Sequence, residues 1–236
     1  MVRTMPTAVF MPDLSFNRHA RMRVERIGHE QQPLLIIDDA LSVPDGMVEV
    51  ARRVPFRPPV RGLYPGLTAS LPPIYFRDLL AGVRPVLSEV FGIAPDVTLQ
   101  AHGFFALATQ GADELLPMQK TPHQDSADPR RLGMVHYLCR GRQGGTGFYR
   151  HRATGFESVG AERQAVFAPQ AVAELKAGGD MAYYERTGFA EAVFNRLIVY
   201  RANMLHAGLL ADSVLTDDPD TGRLTANSFV GDGPPD

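Results

Sequence analysis

The stretch at residues 121–149, TPHQDSADPRRLGMVHYLCRGRQGGTGFY, decides how the rest of the chain is interpreted. It begins with a His-x-Asp pair, His123 and Asp125, and a second histidine, His206, follows a later apolar run. Two imidazoles and one carboxylate are the smallest ligand set of a non-haem ferrous centre that keeps coordination positions open. Alternate residues of an extended chain share one face, so His123 and Asp125 can point into the same cavity. The third ligand must come from another strand, and His206 meets this need.

A His-x-Asp pair arises by chance in many proteins, so the residues around it decide whether it indicates a metal site. Residues 134–139 predict a strand, the GRQGG segment predicts a tight turn, and residues 146–149 predict a returning strand, which together indicate a hairpin. A buried strand at residues 196–200 precedes His206. The pattern therefore predicts that separate strands deliver three ligands to one cavity.

Composition favours one globular domain and argues against a polyanionic partner. The chain has 236 residues, of which 44% are hydrophobic, which is enough for a sizeable core. Its 24 basic and 26 acidic residues give a net charge of −2, whereas phosphate neutralisation needs a clustered basic surplus. We therefore expect no nucleic-acid partner, and a monomer or homodimer that takes a small-molecule substrate.

Cysteine usage and hydropathy favour a reducing, aqueous compartment. Cys139 is the single cysteine of the chain, so no internal disulfide can form. The sequence holds no apolar run that approaches the roughly 20 residues of a membrane span. The N-terminus lacks the apolar core and cleavage pattern of a signal peptide. We expect a cytoplasmic protein with no membrane partner.

Taken in order, the chain predicts an N-terminal extension, two helices and then mainly strands. Residues 1–32 have mixed charge and weak periodicity and form the predicted extension, and residues 33–236 form the predicted single domain. The other expected elements are a buried strand at 33–37, a helix at 43–54 with Pro44 in its first turn, a loop at 55–73, a helix at 75–91 ended by Gly92, and a short helix at 169–176 that begins at Pro169. The fold class that we expect is mainly β with flanking helices.

A predicted strand at 97–109 carries polar side chains on one face. Thr98, Gln100 and His102 alternate with apolar residues. A polar face suits a strand that lines a ligand cavity, so Gln100 and His102 are candidate substrate-binding residues. A hydrogen-bonded structural histidine is the alternative for His102.

The last predicted strand, at 223–230, places Arg223, Thr225 and Asn227 on one face and apolar residues on the other. A guanidinium can clasp a carboxylate through two parallel hydrogen bonds, and Thr225 can add a hydroxyl donor. The alternative is a surface arginine in a salt bridge. The polar residues on the same face favour the carboxylate site.

These motifs resemble the iron(II)- and 2-oxoglutarate-dependent dioxygenase superfamily. The resemblance rests on His123-x-Asp125, the GGTGF motif at 144–148, the strand before His206, and Arg223-x-Thr225. More narrowly, GGTGFYRHRATG resembles a small bacterial family of uncharacterised function inside that superfamily. The likeness covers residues 33–231 in order, and the motif positions are its specific part.

The resemblance implies a double-stranded β-helix core, also called a jelly roll and cupin-like, with iron held by His123, Asp125 and His206. It further implies that Arg223 and Thr225 bind the distal carboxylate of 2-oxoglutarate. Tyr137 is an additional candidate for cofactor binding. Thr225 stands where this superfamily more often has serine, and it keeps the hydroxyl group.

The resemblance also implies an oxidoreductase that uses Fe(II), 2-oxoglutarate and O2. Abstraction of hydrogen from a substrate C–H bond would lead to hydroxylation, desaturation or ring formation. Related halogenases lack the carboxylate and leave room there for a halide. The presence of Asp125 therefore favours oxygen chemistry.

A cationic cluster follows the GGTGFY motif at the expected rim of the cavity. Arg150 and Arg152 are candidate substrate residues that can receive a carboxylate, as in an amino acid or a derivative of specialised metabolism. They can equally pair with acidic neighbours, and both alternatives stay open. Two other functions are also open: a cupin-like protein that binds metal and ligand without turnover, and a hydroxylase of peptide or protein side chains.

Overall fold

Two antiparallel sheets dominate the computed structural model, which describes residues 12–60, 64–111, 113–210 and 213–232. The strands in chain order are β1 (Arg21–Ile27), β2 (Gln32–Asp38), β3 (Gly66–Ser70), β4 (Gln100–Ala108), β5 (Leu132–Tyr137), β6 (Gly145–His151), β7 (Tyr184–Glu191), β8 (Arg196–Arg201), β9 (His206–Leu209) and β10 (Arg223–Gly231). In the described part, seven strands form the larger sheet in the order β1-β2-β8-β5-β10-β4-β3. The smaller sheet has the order β7-β6-β9. The mainly β class expected from the sequence is confirmed.

Helices flank the two sheets, and residue chemistry explains where one of them ends. They are α1 (Asp45–Arg53), α2 (Pro73–Phe91), the short α3 (Pro117–Lys120) and α4 (Ala161–Lys176), with a 3-10 turn at Met181–Tyr183. Gly92 ends α2 with a φ of 73°, a left-handed conformation that glycine adopts without steric cost. Within the described residues, the helices are too short or too polar to cross a membrane.

The outer face of the larger sheet forms the main core with α1 and α2. Strand alternation sends Leu224, Ala226 and Val230 of β10 to this side, against helix residues such as Leu79 and Leu87. The neighbouring strands β2, β5 and β8 alternate in the same way. The opposite face of β10 therefore carries Arg223, Thr225 and Asn227, as the sequence pattern predicts.

The inner face of the larger sheet packs on the smaller sheet. A second apolar cluster joins Ile36, Tyr137 and Tyr200 of the larger sheet to Phe148 of β6. The rings of Phe148 and Tyr200 meet edge to face with centroids 5.1 Å apart. Side chains around Phe148 fill this part of the space between the two sheets. A cavity remains in another part of that space.

The predicted hairpin between β5 and β6 is wrong. β5 pairs with β8 and β10 in the larger sheet, whereas β6 pairs with β7 and β9 in the smaller one. The turn between them contains Gly141 and Gly144, with φ angles of 74° and 67°, and it carries the chain from one sheet to the other. A tight glycine-rich turn indicates a change of direction, and alternation cannot show which partner the next strand takes.

Three further boundaries differ from the sequence expectation. The predicted loop at 55–73 contains β3, a five-residue edge strand that pairs with β4 between flanking prolines. Helix α4 begins at Ala161, so Pro169 lies inside the helix and not in its first turn. Strand β1 pairs with β2, so the sheet begins inside the segment assigned to an N-terminal extension.

A buried histidine ties the larger sheet to the elements behind it. The Nδ1 of His136 lies 3.1 Å from the hydroxyl of Tyr75, and its Nε2 lies 3.1 Å from Oδ1 of Asn195. Asn195 in turn bonds the backbone N–H and carbonyl of Leu41. Burial lowers the pKa of His136 from 6.5 to about 4, although the hydrogen bond that its Nε2 donates to Asn195 opposes this shift.

This histidine makes the folded protein sensitive to acid. Unfolded His136 binds a proton below pH 6.5, whereas folded His136 resists it down to about pH 4, so stability falls as pH drops through this window. The full effect is about 3 kcal/mol. We expect His136→Gln to flatten the pH dependence of the unfolding free energy, measured in urea from pH 7 to 4. An unchanged slope would contradict this assignment.

Candidate metal centre

The backbone brings the two separated histidines side by side. The N–H of His123 donates to the carbonyl of His206 over 2.9 Å, and the N–H of His206 donates back to His123 over 2.9 Å. The N–H of Asp125 donates to the carbonyl of Ala202 over 2.8 Å. Residues 123–125 therefore run antiparallel to 202–206, the connection from β8 into β9. His206 opens β9 in the smaller sheet, whereas the sequence pattern suggested the end of an apolar strand.

The three side chains converge on one point. The Nε2 of His206 lies 3.3 Å from Oδ2 of Asp125, and the Nε2 of His123 lies 3.6 Å from Oδ1 of the same carboxylate. One ligand atom from each residue lies within 4.8 Å of the other two. Two nitrogens and one oxygen on one side of a point could hold a metal ion and leave the opposite side open.

Neighbouring groups fix the orientation of His206. Its Nδ1 lies 2.9 Å from the carbonyl of Met204, so Nδ1 donates to that carbonyl and Nε2, which faces the carboxylate, is the nitrogen that a metal ion would bind. The ring of Tyr200 packs against the imidazole with centroids 4.8 Å apart. A Cβ on Gly133 would come within 2.9 Å of the Tyr200 ring, so glycine is needed beside it.

The burial and charges of the three side chains favour the binding of a cation. Desolvation by the cavity wall and the nearby His206 lower the pKa of His123 to about 4, although 55% of its side-chain surface stays accessible. Burial raises the pKa of Asp125, but His206 outweighs burial and holds it below its usual value. Burial lowers the pKa of His206, but Asp125 outweighs burial and raises it. A metal ion would displace the proton of His206 and find the other two ligands already deprotonated.

The centre opens into a cavity of about 760 Å³ between the sheets. His123, Asp125 and His206 line it, and so does Arg223. Its walls come from the inner face of the larger sheet, from α4 and from the segment at 115–122 that precedes His123 along the chain. A candidate metal centre and a buried cation thus share one enclosed space.

Arg223 is buried, with 4% of its surface exposed, and backbone carbonyls hold it in place. Its Nε donates to the carbonyl of Gln143 over 2.9 Å, and Nη2 donates to the carbonyl of Gly145 over 3.1 Å. Among the described residues, no carboxylate lies within ion-pair distance of this guanidinium. The alternative of a surface arginine in a salt bridge is therefore wrong for Arg223.

Two hydroxyl groups beside Arg223 are buried without a hydrogen bond of good geometry. They are Oη of Tyr64 and Oγ1 of Thr225, which lie near each other and near the guanidinium but make no well-formed hydrogen bond within the described residues. Burial raises the pKa of Tyr64, and the nearby charge of Arg223 opposes this shift. Sequence reasoning missed Tyr64, because its Tyr-Pro-Gly turn gives no signal that the ring faces a cavity.

Tyr137 lies near Arg223 but has its own partners. Its hydroxyl lies 2.7 Å from Oγ1 of Thr146 and 3.5 Å from the carbonyl of Ala190. The guanidinium carbon of Arg223 lies 5.9 Å from the centroid of its ring. The geometry therefore supports Tyr137 less than Tyr64 as a residue that binds a ligand in the cavity.

The four candidate substrate residues lie outside the lining of the cavity. Gln100 and His102 are exposed on β4, and His102 packs on Phe229 with ring centroids 5.3 Å apart. Arg150 contacts Nδ1 of His29 at 2.9 Å, and Arg152 donates to a backbone carbonyl. The expected cationic rim is therefore absent from the described lining. The buried side chain of this segment is His151, whose Nε2 lies 3.0 Å from the carboxylate of Glu174.

Alanine at any one of His123, Asp125 and His206 should reduce affinity for a divalent metal. The loss should exceed the roughly 10–100-fold that removal of a hydrogen-bond partner of a metal ligand costs. Anaerobic calorimetric titration with Fe(II) measures it, and His102→Ala is the matched control. Wild-type affinity in two of the three variants would contradict the centre.

Comparison with known proteins supports the fold. The epimerase SnoN, solved with Fe3+, alpha ketoglutarate and nogalamycin RO, superposes with a TM-score of 0.51 at 13% identity, over 86% of this chain and 80% of that chain. HygX from Streptomyces hygroscopicus, solved with nickel and 2-oxoglutarate, gives 0.49 at 14% identity, over 86% and 84%. A Pseudomonas putida prolyl-4-hydroxylase gives 0.46 at 13% identity, over 87% and 95%. At these identities, the SnoN match is evidence for a shared fold alone.

Sequence comparison places the chain in one family. No curated protein sequence matches it significantly. The sequence model of DUF6445, described as a family of unknown function, matches residues 18–230. Because this match covers most of the 236 residues, the chain belongs to the DUF6445 family.

Proposed function

We propose that this protein is a non-haem Fe(II)- and 2-oxoglutarate-dependent oxygenase with a double-stranded β-helix core, acting on a small molecule. One observation carries the proposal: the His123, Asp125 and His206 side chains line the same cavity as a buried Arg223 that has no carboxylate partner in the described part of the chain. A metal centre alone would suit many functions. A buried cation in the same cavity adds a place for an anionic co-substrate.

The three side chains suit iron as ligands. Imidazole nitrogens and a carboxylate oxygen are the donor set of mononuclear ferrous oxygenases, which leave three positions for exogenous ligands. Asp125 stays ionised at neutral pH, and the carbonyl of Met204 keeps the Nε2 of His206 available. When bound, iron with 2-oxoglutarate and O2 would supply the oxidising power to remove hydrogen from a substrate C–H bond. The protein would hold the reactants in line and keep water away.

Arg223, Thr225 and Tyr64 suit the distal carboxylate of 2-oxoglutarate. The carbonyls of Gln143 and Gly145 fix two nitrogens of the guanidinium, which lines the cavity beside the Tyr64 hydroxyl. The unsatisfied hydroxyls of Thr225 and Tyr64 would donate to the same anion. A carboxylate here would satisfy three buried polar groups at once, which is a reason for their arrangement.

This pairing disfavours a metal-binding protein without turnover. Such a protein needs no carboxylate site beside its metal, whereas an oxygenase must hold its co-substrate at a defined distance from iron. Asp125, by occupying the position that a halide would need, also favours oxygen transfer over halogenation.

Anaerobic addition of Fe(II) and 2-oxoglutarate tests the proposal. We expect a visible metal-to-ligand charge-transfer band that appears with both components and is absent with either alone. Admission of air should then release succinate from 2-oxoglutarate. Folded protein that gives no band would contradict the proposed function, and a band without succinate would indicate binding without turnover.

Arg223→Ala should raise the concentration of 2-oxoglutarate needed for half-maximal succinate formation by about 10–100-fold, because charge-assisted hydrogen bonds are lost. Tyr64→Phe and Thr225→Val each remove one neutral donor and should have effects of about 3–10-fold. Arg152→Ala, outside the cavity, is the matched control. An Arg223→Ala enzyme with the wild-type requirement would show that the carboxylate binds elsewhere.

A further inference from the structure

The cavity has more room than a metal ion and a small dicarboxylate require. Its volume of about 760 Å³ lies in the upper part of the range of roughly 300–1,000 Å³ found for small-molecule sites. The remaining space lies next to the metal centre, because Phe229 pairs with Gly133, and Gly133 pairs with Tyr200 beside His206. The Tyr200 ring occupies the space that a side chain at Gly133 would need, so the floor of the cavity is aromatic there.

The walls of this space are largely apolar. Phe229 lies on one side, and α4 contributes Phe167 and Leu175 on the other. Phe167 belongs to the same apolar cluster as Ala207, the residue that follows His206. The further apolar and aromatic lining near the mouth includes Phe104, Leu115, Met118 and Tyr184. Apolar side chains therefore flank the metal centre from two directions.

The proposed function already gives a role to each charged side chain of the described lining. Among the described lining residues, the metal-ligating or fully charged side chains are His123, Asp125, His206 and Arg223. The proposed function uses three for iron and one for 2-oxoglutarate. The other polar lining groups are neutral, such as Gln119 and Asn227. Among the described lining residues, an ammonium or carboxylate of a substrate would lose its hydration without gaining an ionic partner, which is strongly unfavourable.

We infer that the prime substrate is an uncharged, predominantly apolar molecule that carries a ring system and packs between Phe229 and α4. Aromatic walls stabilise such a molecule through apolar burial and ring contacts. A free amino acid, which the Arg150 and Arg152 cluster suggested, does not fit this surface. The inference rests on the proposed function, because that function reserves Arg223 for 2-oxoglutarate.

Binding of a matched probe pair tests this substrate class without turnover. The probes are 2-naphthol, which is neutral at pH 7, and 2-naphthoate, which carries a carboxylate. The chain has no tryptophan, so naphthyl fluorescence can be followed without indole background. With protein saturated with Ni(II) and 2-oxoglutarate, we expect 2-naphthol to bind at least about tenfold tighter. Equal or tighter binding of 2-naphthoate would overturn the inference.

Paired variants on one helix locate the probe. Leu175 lines the cavity, whereas Val172 is 47% exposed and lies outside the described lining. Leu175→Lys should weaken 2-naphthol binding and strengthen 2-naphthoate binding, and Val172→Lys should leave both unchanged. Met118→Lys, at a lining residue that is 52% exposed, serves if Leu175→Lys does not fold. Equal effects of cavity and control variants would contradict the location.

The two proposals fail separately. An Fe(II)–2-oxoglutarate charge-transfer band in a protein that prefers 2-naphthoate would overturn the substrate class alone. Absence of the band would overturn the proposed function, whatever the probes do.

Discussion

The reciprocal backbone hydrogen bonds between His123 and His206 are the constraint on which the candidate centre depends. Each N–H donates to the other residue's carbonyl over 2.9 Å, and the N–H of Asp125 donates to the carbonyl of Ala202 over 2.8 Å. The chain leaves the larger sheet at the end of β8 and joins the smaller sheet at His206, so the bridge also spans the two sheets. Ligand spacing is therefore set by paired backbone, which is more rigid than side-chain packing and suits a metal site.

The polar groups around Arg223 set the second constraint. Buried polar atoms in folded proteins are nearly always hydrogen-bonded, and each one left without a partner costs about 1–3 kcal/mol. Tyr64 and Thr225 both keep unsatisfied hydroxyls beside a guanidinium that is itself held by two carbonyls. Apolar packing on the outer face of β10 offsets this cost in the free energy of folding. A carboxylate ligand would remove it, which links the stability of the apo fold to the proposed co-substrate.

Continuous apolar runs made the strands at 33–37 and 196–200 predictable, because both faces of each strand are buried. Alternation made the strand at 223–230 predictable, because one of its faces meets the helices. It also showed that Arg223 and Thr225 share a face. Pairing between sheets was not predictable: the glycine turn after β5 resembles a hairpin, yet Gly144 carries the chain across to β6. Local pattern likewise could not show that Tyr64 faces inward or that Arg150 and Arg152 face outward, because both facts depend on contacts with distant residues such as Thr225 and His29.

The most direct measurement is a crystal structure of the protein prepared without oxygen in the presence of Fe(II) and 2-oxoglutarate. The account predicts one iron ion bound by His123, Asp125 and His206, with 2-oxoglutarate next to it and the distal carboxylate of 2-oxoglutarate on Arg223. Iron bound at other residues, or 2-oxoglutarate held away from Arg223, would contradict the account.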